Sequence, residues 1–120
     1  MGLSEELRLR TEQYAAAVIR DYVKLPKDRE EVRVLEKQLL RSGTSVAARA
    51  REASRARSDS KFCSKLDGLL QEADESQLWL ELLRVDCGIV GEQIDNLLRE
   101  ADELMAIFTT MVSKLRKSSS

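Results

Sequence analysis

Apolar residues return along this chain at intervals of three and four, the spacing that lines one face of an α-helix. Leu7, Thr11, Tyr14, Ala15, Val18, Tyr22 and Leu25 make the first stripe. Ser4 offers a capping oxygen before it, Glu5 and Glu6 suit the positive end of a helix, and Pro26 pushes Leu25 out of the helical region. These signals predict a helix over 4–24. Val32, Leu35, Leu39, Val46, Ala50 and Ala53 form a second stripe, which predicts a helix over 29–57. Asp28 is its expected cap, with Glu31 three residues on in the capping-box position. Gly43 weakens that helix by about 1 kcal/mol relative to Ala. With neither Pro nor loop composition nearby, the helix is expected to run through it.

Ser58, Asp59 and Ser60 signal another start, and Phe62, Leu66, Leu69, Ala73, Leu80, Leu83 and Cys87 continue as a stripe that predicts a helix over 60–85. Gly88 and Gly91 mark the next turn. A nearly unbroken seam (Ile94, Leu97, Leu98, Ala101, Leu104, Met105, Phe108, Met111, Val112 and Leu115) then predicts a helix over 91–117. Lys114, Arg116 and Lys117 suit its negative end, and Ser118–Ser120 are expected to fray. Short connections between long helices make neighbours antiparallel. The predicted fold is all-α, an antiparallel up-down four-helix bundle with roughly 70% or more of the chain helical. Leu39, Val46, Leu66, Leu69, Leu83, Leu97, Leu104 and Phe108 are its expected core.

Composition agrees and removes many chemistries. The chain of 120 residues has room for one domain, 1–120, and its 5 Gly and 1 Pro leave too few turns for a many-stranded β fold. The absence of His removes Ser-His and Cys-His nucleophile pairs, His-ligated metals and the usual base near neutral pH. Cys63 and Cys87 are too few for a zinc site and read as thiols of a cytosolic protein, with a disulfide between them as the alternative. Glu72, Asp74, Glu75 and Glu81 lack the His of a di-iron Glu-x-x-His pair. No Gly-rich phosphate loop occurs, MGLSEELRLR has no apolar signal core, and no apolar run is long enough to span a membrane. The expectation is a cytoplasmic protein with no catalytic residues, metal, cofactor or small-molecule substrate.

Charge is unevenly spread beneath a formal net of −1. Residues 29–66 hold ten Lys/Arg against five Asp/Glu, a net of +5, whereas residues 67–106 hold two against eleven, a net of −9. Basic and acidic helices are therefore expected to pack side by side, within one chain or between chains. Opposite Val46 on the second helix lie Arg33, Lys37, Arg41, Arg51 and Arg55, with Thr44 and Ala48 filling the gap. The row reads either as a solvated face or as an anion-binding surface. Leu78, Trp79 and Leu82 add apolar surface beyond the single stripe a bundle helix needs. They read as a subunit contact, or else Trp79 caps the core of a monomer.

The run Gln38-Leu39-Leu40-Arg41-Ser42-Gly43-Thr44-Ser45-Val46-Ala47-Ala48, followed by Arg51-Glu52-Ala53, resembles the signature of the bacterial four helix bundle protein family. Its founding members are encoded in intervening sequences of 23S ribosomal RNA genes. Leu25-Pro26-Lys27-Asp28, Lys65-Leu66, Glu72-Ala73-Asp74-Glu75, Trp79-Leu80-Glu81-Leu82-Leu83 and Glu100-Ala101-Asp102-Glu103-Leu104 fit the same pattern, so the likeness covers nearly the whole chain. Many members carry Asn-Ile or Asn-Tyr where Arg49 and Ala50 stand here, and no role of that Asn carries over. The resemblance implies a left-handed bundle and a ring-like homopentamer. A related branch, the accessory variability determinant of diversity-generating retroelements, is basic and binds nucleic acid and a reverse transcriptase. This chain departs from that branch with a pI near 5.6.

Two readings of function follow. The first is a non-enzymatic oligomeric scaffold or adaptor holding RNA, DNA or a nucleic-acid enzyme such as a reverse transcriptase. The second is a purely structural homo-oligomer whose basic and acidic faces pair with each other.

Overall fold

In the computed structural model, which describes residues 2–119, four helices account for almost all of the chain: α1 (Glu5–Lys24), α2 (Glu30–Ser54), α3 (Asp59–Glu81) and α4 (Glu92–Ser119). The protein is 85% helical, with no strand among the described residues, in keeping with the fraction of roughly 70% or more that the apolar periods predict. Met1 and Ser120, the ends of the expected domain, lie outside the described residues. The helices form a bundle 50 Å long and 21 Å across. Arg41 of α2 reaches Glu72 and Glu75 of α3, while Glu52 lower on α2 meets Lys65. Glu12 of α1 meets Arg51 of α2, and Arg116 of α4 meets Asp67 of α3. The α1–α2 turn and the α3–α4 connection share one end of the bundle, where the Arg29 guanidinium donates to the Cys87 carbonyl at 2.9 Å.

Local signals set most helix ends. Ser4 and Ser58 are extended residues whose hydroxyls accept from Leu7 N–H and Lys61 N–H, each at 3.1 Å, satisfying donors that the first turns leave free. Four boundaries differ from expectation. The cap of α2 is Arg29 rather than Asp28, without a capping side chain, because Arg29 is held in place by Glu31 and by the Cys87 carbonyl across the bundle. Helix α2 stops at Ser54, short of 57, as Arg55 and Ala56 N–H tighten onto the carbonyls of Glu52 and Ala53. Past Glu81, the backbone widens into a π turn over Leu82–Asp86, in which Cys87 N–H reaches back to the Leu82 carbonyl and Ile89 N–H to that of Leu83. Gly88, at φ +71°, then turns the chain away. Helix α4 continues through Ser118, whose hydroxyl donates to the Lys114 carbonyl, so the expected fraying is not seen there.

All eight expected core residues are at most 3% exposed. They join Tyr14, Val18, Val32, Phe62, Leu80 and Ile94 in one apolar cluster, each large side chain contributing roughly 1.5–3 kcal/mol of transfer energy. Gly43 is continuous helix, and it packs directly against α1: a Cβ there would stand 2.9 Å from Val18 Cγ2. What glycine costs in helix propensity is offset by the room it leaves for the Val18 side chain. Tyr14 is buried, its hydroxyl 2.7 Å from that of Ser76, and burial pushes its phenol up to about 12. Three acids are buried as well, Asp21, Glu36 and Glu72, which the apolar stripes gave no reason to expect.

Candidate polyanion interface

The second helix presents its basic row on the outer face, since its opposite face is consumed by Val32, Leu39, Val46 and Ala50. Arg33, Lys37, Arg41, Arg51 and Arg55 are all exposed, yet they differ in what they touch. Arg33 lies 3.8 Å from Glu30, one turn back on its own helix. Arg41 spans to α3, with its guanidinium 3.1 Å from Glu75 and 3.4 Å from Glu72. Glu75 is held below the ordinary carboxylate range by side-chain hydrogen bonding with Glu72 and by Arg41. Arg51 is 3.3 Å from Glu12 of α1. The side chains of Lys37 and Arg55 make no ion pair or hydrogen bond with the described residues.

The stripe is thus three paired cations and two unpaired ones. Glu75 answers Arg41 inside one chain, whereas the acids Asp95 and Asp102 of α4 are taken by Arg84 and Gln77. Between Ala47 and Ala48 the helix has so little side chain that a depression of about 630 Å³ opens, rimmed by Arg51, Arg55 and Lys65 together with Glu12 and Glu52. Lys65 was not singled out from sequence: it belongs to α3, and only the turn at Ser58 brings it beside Arg55. It also draws Glu52 below the ordinary carboxylate range, ahead of Arg49. Arg57 and Lys61, at the same turn, are exposed and unpaired among the described residues. The net +5 of residues 29–66 was the signal for them, but their common location is tertiary.

The second candidate surface lies at the other end of α3. Leu78 is 46% exposed, while Trp79 and Leu82 are half-buried. The Trp79 ring packs against the core, and its indole N–H is buried without an acceptor. Val34 of α2 and Val85 of the π turn are exposed too, at 49% and 71%. Val85 reaches solvent because the π turn rotates it off the seam that keeps Leu83 buried.

Of the four acids weighed for catalysis, Glu72 and Glu75 are tied up with Arg41, and Asp74 and Glu81 face solvent. No group of three or more His, Cys, Asp or Glu that could hold a metal occurs among the described residues. Cys63 and Cys87 are free thiols, so the disulfide alternative is set aside. No helix is long and apolar enough to cross a membrane.

Fold and surface together define a helical-bundle protein with a charged outer face and no assembled catalytic constellation among the described residues. Residues 6–110 match the 23S rRNA-intervening sequence protein family, and the chain belongs to that family. A crystal structure of a protein of unknown function, from the S23 ribosomal protein family of Bacteroides thetaiotaomicron VPI-5482, is similar: 33% identity, TM-score 0.80, covering 88% of this chain and 97% of that one. No curated protein matches the sequence.

Proposed function

We propose that the chain is a non-enzymatic scaffold, an antiparallel up-down and left-handed bundle assembled as a homopentamer, that holds a polyanionic partner on the outer face of α2. The partner is RNA or DNA, alone or with a nucleic-acid enzyme such as a reverse transcriptase, and the setting is the cytoplasm. The observation that carries this reading is the pair Lys37 and Arg55, exposed and unneutralised, with Arg51 and Lys65 beside the alanine-floored depression. Phosphates docked there would meet cations without clashing with bulky side chains. Ring symmetry would repeat the pattern and build a local field that the formal net of −1 per chain conceals. The family's name, which refers to 23S rRNA, makes RNA the first polyanion to test. Leu78, Trp79 and Leu82 are the proposed subunit contact, supported by the exposed Leu78 and the unpartnered indole N–H.

The purely structural alternative draws support from Arg33, Arg41 and Arg51, each already facing a carboxylate of its own chain. The Lys37→Glu, Arg55→Glu double variant separates the two readings, because neither substitution breaks an ion pair of the folded chain. Wild type should bind a mixed-sequence RNA oligomer at about 50 mM salt and lose most of that affinity by about 200 mM, as condensed counterions return to the phosphates. The variant should not bind, while light scattering finds its oligomer unchanged. An RNA affinity of wild type too weak to detect at the lower salt ends the scaffold reading. A mass equal to one 13.6 kDa chain, at concentrations of roughly tens of micromolar, ends the ring.

A further inference from the structure

We propose that the end of the bundle shared by the α1–α2 turn and the α3–α4 connection is a binding site for a small primary organic ammonium, anchored by the Asp21 carboxylate. The site uses none of the side chains of the outer basic row of α2 and does not depend on the function proposed above. It is a cavity of about 480 Å³, within the roughly 300–1,000 Å³ of small-molecule sites. Pro26 turns the chain at the end of α1, and Gly88 and Gly91, at φ +71° and +148°, bend the opposite connection around the opening. Leu25, Ile89, Val90 and Ile94 make its walls apolar.

At one side stands Asp21, only 4% exposed, and its side chain has neither a hydrogen bond nor an ion pair with the described residues. Its Oδ2 is wholly buried and unpartnered. Buried carboxylates in folded proteins are paired or hydrogen-bonded, because desolvation is otherwise uncompensated. Glu36, 1% exposed, lies near enough to raise the Asp21 carboxyl above its ordinary range, adding to the larger effect of burial. Lys24 and Lys27 oppose this rise through space, and neither bonds to Asp21; the Lys27 ammonium donates instead to Glu36 Oε1 and to the Tyr22 carbonyl and lies 3.8 Å from the centre of the Tyr22 ring. Glu36 Oε2 remains unpartnered. Asp21, Glu36 and the exposed Glu92 at the same opening thus stand against Lys24 and Lys27, and one negative charge is left over.

That residue of charge selects the ligand. A cation restores balance, and an alkylammonium does so while laying its carbon body against Leu25, Ile89, Val90 and Ile94. A bare metal ion would find no set of three ligating side chains there. An anion would be drawn by Lys24 and the first amides of α4 but would meet Asp21 and Glu92 at the same opening. Lys24 acts on Asp21 through space but does not satisfy it: its ammonium is exposed on the rim and makes no ion pair or hydrogen bond with the described residues.

The probe is n-butylammonium chloride, compared with potassium chloride at equal ionic strength, on the full chain, its Asp21→Asn variant and its Val90→Lys variant. For wild type, Tm should rise by about 4 °C when the amine is at about ten times its Kd, because ligand that binds only the folded state stabilises it by mass action. The 13C resonance of the Asp21 carboxyl should shift over the same concentrations, and potassium should produce neither effect. Asp21→Asn should abolish the rise. Val90→Lys, a change at an exposed wall position, should blunt it by placing a tethered ammonium at the mouth. A wild type that responds alike to potassium and the amine, or to neither, overturns the site. So does an Asp21→Asn variant that keeps the full response. Should Asp21→Asn fail to fold, a full response in Val90→Lys overturns it instead.

Discussion

At the end of the bundle that holds the α1–α2 turn, Asp21 and Glu36 are buried and only Glu36 is bonded to an ammonium; on the outer face of α2, Lys37 and Arg55 are exposed and have no carboxylate at all. Both regions carry charge in excess of its partner, and the energetic meaning is opposite. Water solvates Lys37 and Arg55, so leaving them unpaired costs little and keeps them free for a partner. Water does not reach Glu36, so every hydrogen bond there matters to folding. Between the regions lies Arg41, whose ion pairs with the mostly buried Glu72 and the half-exposed Glu75 stitch α2 to α3.

The largest test of this contrast is Lys27→Ala. It strips Glu36 of its single ion-pair partner, and breaking a buried pair costs about 3–5 kcal/mol. Lys27 is itself 46% exposed, which lowers the expectation to about 2–3 kcal/mol, read as a fall in the urea midpoint. A change below about 0.5 kcal/mol would mean that the acids are not buried as described.

Gly43→Ala comes next and probes the packed waist between the two regions. Helix propensity favours the change by about 1 kcal/mol, but the new Cβ must displace Val18, and overpacking costs about 1–3 kcal/mol. A net loss of about 1 kcal/mol is expected, reversed when Val18→Ala makes room. A Gly43→Ala protein more stable than wild type would refute the close approach.

Asp21→Asn acts with the opposite sign. Because the folded carboxyl titrates above its unfolded value, its contribution is fully present below the unfolded pKa and is lost as pH rises through the folded one. Without an amine ligand, the variant should therefore be about 1 kcal/mol more stable than wild type at pH 7, with the gap closing as pH falls through the Asp21 pKa. Urea titrations at pH 7 and pH 3 check both the sign and the trend. A gap that is unchanged by pH would rule out titration of Asp21 as its source.

The smallest stability effect belongs to Lys37→Glu with Arg55→Glu, expected within about 0.5 kcal/mol by the same measurement. Their large effect should be on RNA affinity alone. A double variant that unfolds would erase the contrast from which the comparison started.

The helices, their core faces and the Ser4 and Ser58 caps were legible in the sequence because each depends on neighbours three or four residues away. Stripes of Leu and Val could bury themselves in one way, and they did. The α2 cap was not legible: Asp28 has the right oxygen, but a distant carbonyl at Cys87 holds Arg29 in the capping position. Nor was the π turn, since Leu82-Leu83-Arg84-Val85 reads as ordinary helix until Gly88 requires the chain to leave. The five basic positions of α2 were legible as a row, because residues on one helix keep a fixed angular order. Which of them would be neutralised was not, because Glu12, Glu72 and Glu75 lie on other helices.

By itself the sequence determined where this chain is helical and which face of each helix is apolar, since hydrogen bonding within a helix and the three-to-four spacing are local properties. Only the tertiary structure decided that Gly43 is a contact rather than a weakness, that Lys65 joins Arg51 and Arg55, and that Asp21 is enclosed with Glu36. The physical reason is that burial and charge pairing depend on distances between helices, and residues dozens of positions apart acquire those distances when the bundle closes.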